Sequence, residues 1–457
     1  MGRLVVVSNR VSLPTDKGAK AGGLAVALED AMIPGSLWFG WSGRRGGANS
    51  DRASVTEHQG ITYATVDLGE TDYRRFYVGF SNGALWPLLH YRTGLIDYRR
   101  DDYEGYVAVN DLFAARLAPL LQPDDVIWIH DYQLLTLAEA LRRLGVKNRI
   151  GLFLHIPFVP PAVLHVLPEA EHLVRAMAAA DLVGFQTHGD RLNFLESAAS
   201  CMEMQRVGED GFVHNGHRTM TTVTPVGIDV EGFARAARRA AGMTETRRLI
   251  SSLVGRALAI GVDRLDYTKG LPLRFAAFGR LFLRHPEHLR RISLLQIAAR
   301  SREDVDRYQS LRRELDRQAG EINGAYSDFD WTPLRYMTRA VNRTTIAGFY
   351  RIASIGLVTP LRDGMNLVAK EGPLLNRAGG VLVLSREAGA WEELHPAALG
   401  VNPFDISETA AALDAALSMD PADRAARAEA LREIVLGQTA ADWLDRQLEV
   451  AAALRAG

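Results

Sequence analysis

The sequence predicts an α/β protein built from two doubly wound parallel-sheet units. Three observations predict it. Short apolar runs alternate with helical patterns along the whole chain, the mark of strands joined by crossover helices. The runs are continuous in Val, Ile and Leu, as strands covered on both faces require. A polar residue stands just beyond the run in strand after strand, at the end where open α/β sheets bind their ligands.

In the first half the strands fall at Leu4–Val7, Val126–Ile129, Ile150–Leu154, Leu182–Phe185 and Thr222–Val226. In the second they fall at Ala257–Val262, Ile292–Ile297, Ile355–Thr359, Val381–Leu384 and Leu399–Val401. Amphipathic segments such as Leu134–Leu144 and Leu271–Leu283 lie between them. Pro225 and Gly227 punctuate the stretch from Thr224 to Asp229, which sets a boundary between units 1–228 and 229–438. The tail, 439–457, opens on a capping-box pattern, Thr439 with Asp442 at the third helical position. Trp443, Leu444 and Leu448 then form an apolar stripe that is expected to pack back on the first unit.

Composition narrows the function. The chain has 457 residues, 47% hydrophobic and 23% charged, enough for two large cores in an ordinary globular protein. A formal net charge of −1 gives no bulk attraction to nucleic acid or an anionic membrane. The one cysteine, Cys201, excludes an intramolecular disulfide and a cysteine-cluster metal site. No apolar run approaches the ~18 residues of a membrane span. The first strand begins at Leu4 with no signal-peptide pattern before it, and Val6 breaks the myristoylation pattern after Gly2. A cytoplasmic protein is expected, without nucleic-acid or membrane partners; a homo-oligomer stays open.

The residues beyond the strands describe a ligand. Leu361 to Glu371 follows the strand Ile355–Thr359 and opens a helix. Free amides at Met365, Asn366, Leu367 and Val368 and the positive helix end suit an anion, while Asp363 and Glu371 offer carboxylates to hydroxyls. Phosphate with polyol hydroxyls is a sugar nucleotide. Arg264 and Lys269 follow Ala257–Val262 and can neutralise a diphosphate, the arginine as a planar fork and the lysine as a point charge. Arg10 and Arg302, from different halves, suit a second phosphate. Asp131, past Val126–Ile129, either orients a sugar hydroxyl or caps the helix beginning near Gln133. His155 stands past Ile150–Leu154, and Gly22-Gly23 opens a helix and permits close backbone approach to a phosphate. Trp38, Trp41, Tyr77 and Trp86 serve equally as core or as faces for sugar rings.

Other chemistries fail. The chain has neither a dinucleotide fingerprint nor a P-loop. Asp328-Phe329-Asp330 imitates a metal-binding Asp-x-Asp but lies between Asn323-Gly324 and Pro333, which reads as a turn. His58, His90, His214 and His217 lack metal-ligand spacing, and no metal or other cofactor is expected.

With these residues in view, the chain resembles the trehalose-6-phosphate synthases of glycosyltransferase family 20. The resemblance is carried by Ser8-Asn9-Arg10, Ala21 to Leu24, Leu37 to Trp41, Leu85-Trp86-Pro87, Trp128 to Tyr132, His155 to Phe158, Arg264 to Gly270 and Leu361 to Glu371. It implies a GT-B fold, two Rossmann-like domains facing a cleft, and a metal-independent hexosyltransferase. The reaction implied moves glucose from UDP-glucose to glucose 6-phosphate with retention, giving α,α-trehalose 6-phosphate for trehalose biosynthesis. By resemblance Arg10, Trp41, Tyr77, Trp86, Asp131 and Arg302 contact the acceptor, and Trp86 sets the product anomer. Gly22, Gly23, His155, Arg264, Lys269, Val341, Asp363, Met365, Asn366, Leu367, Val368 and Glu371 hold UDP-glucose, with Val341 on the base side and Glu371 at the ribose. Asp131, His155, Arg264, Lys269 and Asp363 are the expected catalytic set. Gly372-Pro373 departs from the family pattern and is expected to shorten or kink the helix carrying Glu371. Dephosphorylation to trehalose is expected to fall to another protein. Two alternatives remain beside this reading: a sugar-nucleotide transferase with another phosphorylated acceptor, and a non-catalytic sugar-phosphate sensor.

Overall fold

A computed structural model of the chain describes residues 2–13, 32–46, 52–240, 242–301 and 306–453. The chain divides into two compact units, Met1–Pro225 with Trp443–Gly457, and Val226–Asp442.

The first unit carries strands β1 (Leu4–Arg10), β2 (Leu37–Arg45), β3 (Ser54–His58), β4 (Ile61–Leu68), β5 (Val126–His130), β6 (Arg149–Phe153), β7 (Leu182–Phe185), β8 (Gln205–Val207), β9 (Gly211–His214) and β10 (His217–Val223). They form one sheet in the order β3-β4-β2-β1-β5-β6-β7-β10-β9-β8. β4 through β10 in that order run parallel. β3 at one edge and the β8–β9–β10 meander at the other are antiparallel. The order reverses between β1 and β5, which makes that pair the switch point of a doubly wound sheet.

The second unit is wholly parallel. Its strands are β11 (Ala257–Arg264), β12 (Ile292–Ala299), β13 (Leu334–Met337), β14 (Ile355–Val358), β15 (Val381–Ser385) and β16 (Leu399–Val401), ordered β13-β12-β11-β14-β15-β16. Renumbered within the unit this is the 3-2-1-4-5-6 order of dinucleotide-binding sheets, with its switch point between β11 and β14. The helices used below are α1 (Arg100–Leu117), α2 (Val230–Ala240), α3 (Leu271–Arg284), α4 (Arg343–Ile352), α5 (Val368–Leu375), α6 (Ile406–Ser418) and α7 (Ala440–Ala453). Among the described residues no helix is long and apolar enough to cross a membrane.

Several elements differ from the sequence reading. The last strand of the first half ends at Val223 rather than running to Val226, since Pro225 has no N–H to give a ladder. Tyr73–Leu85 is a 13-residue π-helix, far longer than the single π-turns usually inserted in helices. It packs on α1, and a Cβ at Gly79 would fall 2.4 Å from the Asp102 carboxylate. Asp328-Phe329-Asp330 is a turn as expected, its two carboxylates held by Arg290 and Arg256. The capping box at Thr439 forms, with the Asp442 carboxylate accepting from the Thr439 amide at 2.8 Å. Trp443 is fully buried against Trp128, Phe153, His130 and His155 of the first unit; the Leu444 and Leu448 side chains lie outside the described residues. α5 is short, eight residues with Pro373 inside it.

Beneath the second sheet's switch point lies a buried ionic network. Arg274 of α3 is 1% exposed. Its Nη1 donates to Asp263 of β11 and, at 2.8 Å, to Gln296 of β12. Its Nε donates to Thr359 Oγ1 at 2.9 Å, and its Nη2 to the carbonyl of Lys269 at 3.3 Å. Removing one partner of a buried charge pair strands the other and costs about 3–5 kcal/mol. Arg274→Met is therefore expected to lower stability by about that amount in urea unfolding of the full chain. Adding Asp263→Asn to R274M should recover part of the loss, because the stranded charge is then gone; no recovery would refute the network's ionic basis.

Candidate active site

Each switch point gathers the residues singled out above. In the first unit Arg10 ends β1 and Asp131 follows β5, so they flank the reversal. The Arg10 guanidinium lies over Gly43, whose φ of 88° and lack of a side chain admit it; a Cβ there would sit 2.8 Å from Arg10 Nε. Trp41 of β2 is buried, its indole N–H donating to the Arg44 carbonyl at 2.8 Å. The π-helix stacks Tyr73 and half-buried Tyr77 against it, with centroids 5.4 and 6.4 Å away. The Arg45 guanidinium lies over the Tyr73 ring, 3.8 Å from its centroid. Trp86, next after the π-helix, is 3% exposed and packs on His90 and Tyr132.

Asp131 does not cap the following helix. Its side chain instead accepts from the His155 amide at 3.2 Å. Its φ of 77° and ψ of 171° belong to a region almost confined to glycine. Strain of this kind concentrates at functional sites.

His155 is joined to His130 through Nε2 and Nδ1 at 3.0 Å, and Gln186 Nε2 lies 3.4 Å from His155 Nδ1. Burial holds both imidazoles neutral: it lowers His155 to about 3, and it pushes His130 well below the usual range with His155 adding to the effect. With the Gln186 amide donating, His155 Nδ1 accepts and its Nε2–H donates to His130. Both ring nitrogens of His155 are thereby engaged within the first unit.

In the second unit β11 ends on Arg264, half-buried. The chain then turns through Tyr267–Lys269 to Gly270, whose φ is 66° and where a Cβ would strike the Thr359 carbonyl at 2.5 Å. That turn delivers Lys269 to Asp363, beyond β14, in an ion pair of 2.5 Å. Asn366, itself at φ 74°, donates its side chain to the same carboxylate oxygen at 3.0 Å. Among the described residues the amides of Met365, Asn366, Leu367 and Val368 donate to no protein group. They remain four successive donors at the start of α5. Met365 is buried, the next three half-buried, and Val341 half-buried ahead of α4. Gly22, Gly23 and Arg302 lie outside the described residues.

Glu371 on α5 has its carboxyl pushed up to about 7, first by burial and against the pull of Arg343. Tyr350 reaches its Oε2 at 3.4 Å. Arg343, beside Glu371, is one residue the sequence reading missed. Its guanidinium lies 3.7 Å over the Phe233 ring and 3.6 Å from Asp229 Oδ2, while among the described residues its Nε has no hydrogen-bond partner. Its only sequence signal is its place two residues after Val341. Tyr73 was missed too, for want of any strand-end position.

Two Rossmann-type units, one presenting aromatics with Arg10 and the other a Lys–carboxylate pair beside free helix-start amides, define a sugar-nucleotide transferase of the GT-B fold. The model of glycosyltransferase family 20 matches residues 3–453. A trehalose-6-phosphate synthase of Sinorhizobium fredii is 45% identical over 454 residues, covering 97% of each chain. The Burkholderia xenovorans UDP-forming α,α-trehalose-phosphate synthase, solved in complex with glucose-6-phosphate, superposes with a TM-score of 0.94 at 42% identity, over 99% of this chain and all of that one. A structure from E. coli bound with UDP-2-fluoro glucose gives 0.93 and 42% over 98% and 99%. The chain belongs to glycosyltransferase family 20.

The raised carboxyl has a consequence for stability. Glu371 in the folded chain stays protonated to about pH 7, whereas in the unfolded chain it ionises near its ordinary ~4.3. The unfolded state therefore releases the proton first, and Glu371 erodes stability as pH rises through that window. E371Q removes the ionisation, so its stability relative to the wild type should rise between pH 5 and pH 8. Denaturant titration at the two values checks this. Arg343→Met should widen the effect by removing the cation that favours the charged form.

Proposed function

We propose that this chain is a UDP-forming, retaining glycosyltransferase that moves glucose from UDP-glucose to glucose 6-phosphate, giving α,α-trehalose 6-phosphate and UDP. The observation that carries this reading is the second unit's switch point. There Lys269, Arg264 and four unpartnered amides offer positive charge and N–H donors suited to an anion, and Asp363 is set by Lys269 and Asn366 at the same spot. Relatives at 42% identity take glucose-6-phosphate and UDP-2-fluoro glucose.

In this reading Arg10 and Arg302 hold the acceptor phosphate, Trp41, Tyr77 and Trp86 wall its sugar, and Asp131 accepts from a sugar hydroxyl. Gly22 and Gly23 approach the donor, as do the amides of Met365 to Val368. Val341 meets the base, Glu371 takes the ribose, and Asp363 and the His155 backbone hold the transferred glucose. Arg264 and Lys269 stabilise charge as the bond from the anomeric carbon to the diphosphate oxygen breaks. The acceptor hydroxyl forms the new bond from the same face, and its proton passes to the departing phosphate. No metal is needed, since two cations and the amides do the neutralising, and the enzyme works in the cytoplasm.

The test is UDP release from UDP-glucose in EDTA, with and without glucose 6-phosphate. Release that requires the acceptor is expected; donor binding without release would favour the sensor reading or another acceptor. Lys269→Ala should lower kcat about 10²–10³-fold, the usual loss for a preorganised charge-stabilising group. Arg10→Ala should instead raise KM for glucose 6-phosphate about 10–100-fold, as loss of a charged hydrogen bond does. Near-normal turnover of K269A would refute the assignment.

A further inference from the structure

The end of the second sheet where β12 begins, beyond the last turn of α3, carries a side-chain cluster that the transfer reaction does not use. α3 ends at Arg284, and Pro286 prevents its continuation. The turn that follows, His285 to His288, sets its side chains against Asp414 of α6. His285 Nδ1 lies 3.3 Å from Glu287 Oε1 and 3.5 Å from Asp414 Oδ1. One donor atom from each of these residues lies within 4.8 Å of the others. In a tetrahedral zinc site with bonds of about 2.0–2.1 Å, ligand atoms stand about 3.3 Å apart. The two shorter spacings therefore already match edges of that tetrahedron.

The supporting groups fit as well. His288 is 7% exposed and its Nε2 lies 2.7 Å from Asp414 Oδ1, with Ser418 Oγ at 3.4 Å from the same oxygen. This carboxylate–imidazole contact orients a metal-binding carboxylate in the way outer partners do. His285, Glu287 and Asp414 remain partly open to solvent, which leaves the fourth position to water.

We infer that His285, Glu287 and Asp414 form a surface site for a first-row divalent cation of the zinc class, with His288 as its positioning residue. One imidazole and two carboxylates favour zinc, nickel or copper over magnesium or calcium, whose preferred donors are all oxygen. The cation ties the end of α3 to α6 and takes no part in transfer. Sequence spacing hides the site because Asp414 lies 126 residues beyond His288.

The test uses the untagged full chain, stripped with EDTA, and titrated with Zn²⁺ by calorimetry. One equivalent is expected to bind, and H285Q should abolish that binding. H288Q should weaken it about 10–100-fold, the usual cost of losing an orienting partner. Co²⁺ in place of Zn²⁺ should give a tetrahedral visible spectrum in the wild type that is missing in H285Q. Acceptor-dependent UDP release should match the wild type in both variants. Absence of stoichiometric binding in the wild type, or unchanged binding in H285Q, overturns the proposal. H285Q alters only a part-exposed side chain, so the result does not depend on whether a change at Asp414 folds.

Discussion

The buried guanidinium of Arg274 is the interaction on which the second unit's switch point depends. The switch point of the second sheet is assembled from β11 and the turn holding Lys269 that follows it, from β12, and from the residue after β14. Arg274 bonds to all four. A guanidinium can do this because its five N–H groups leave in a fixed planar fork, whereas an ammonium would satisfy fewer partners in less defined directions. The close packing is visible in Gly261, where a Cβ would stand 2.4 Å from Gln296 Oε1 and 2.8 Å from Arg274 Nη1. Asp263 and Arg264 are neighbours in β11 with opposite assignments. The first faces inward to this network, and the second is the last residue of the strand. Alternation along a strand makes that division possible.

The two switch points solve the same problem with different devices. Each sets a carboxylate by protein donors before any ligand is considered. Asp131 accepts from the His155 amide, and Asp363 from Lys269 and Asn366. Each also contains a non-glycine residue at positive φ, Asp131 or Asn366, a cost that persists only where surrounding contacts over-determine the backbone. In the first unit those contacts include the neutral chain from Gln186 through His155 to His130, packed under Trp443. A charged imidazole there would be buried without a counter-ion, which is why burial drives both pKa values down.

Legibility in the sequence followed periodicity and strand ends. Most of the parallel strands were readable as continuous apolar runs, though not β2, β4 or β13, and Arg10, Asp131, His155, Arg264, Lys269 and Asp363 were readable because each stands just beyond such a run. β2 was not, since Leu-Trp-Phe-Gly-Trp carries no helical or alternating period and its tryptophans serve equally in a core. β3 is exposed along its whole length and so leaves no apolar trace. The π-helix at Tyr73–Leu85 breaks the 3.6-residue period by construction, and two glycines hide it further. Arg343 was invisible for a different reason: its partner Phe233 is on another helix, and cation–π contacts leave no mark in local sequence.

The short helix α5 shows how a segment with poor local signals is still fixed. Eight residues with Gly372 and Pro373 inside would not hold as an isolated helix, where even good formers are marginal below about 12–15 residues. Tertiary contacts supply the stability instead. Lys370, fully buried, donates to the Val226 carbonyl at 2.8 Å and pairs with Glu393 at 2.9 Å. At the other end Asn376 stops the helix. Its amide donates to the carbonyls of Tyr350 and Ala353, and its oxygen accepts from the amides of Ala378 and Gly380. Glu371 thus sits between two anchored ends, on the turn where Pro373 removes one backbone hydrogen bond. These anchors leave Glu371 facing Tyr350 and within reach of Arg343's charge.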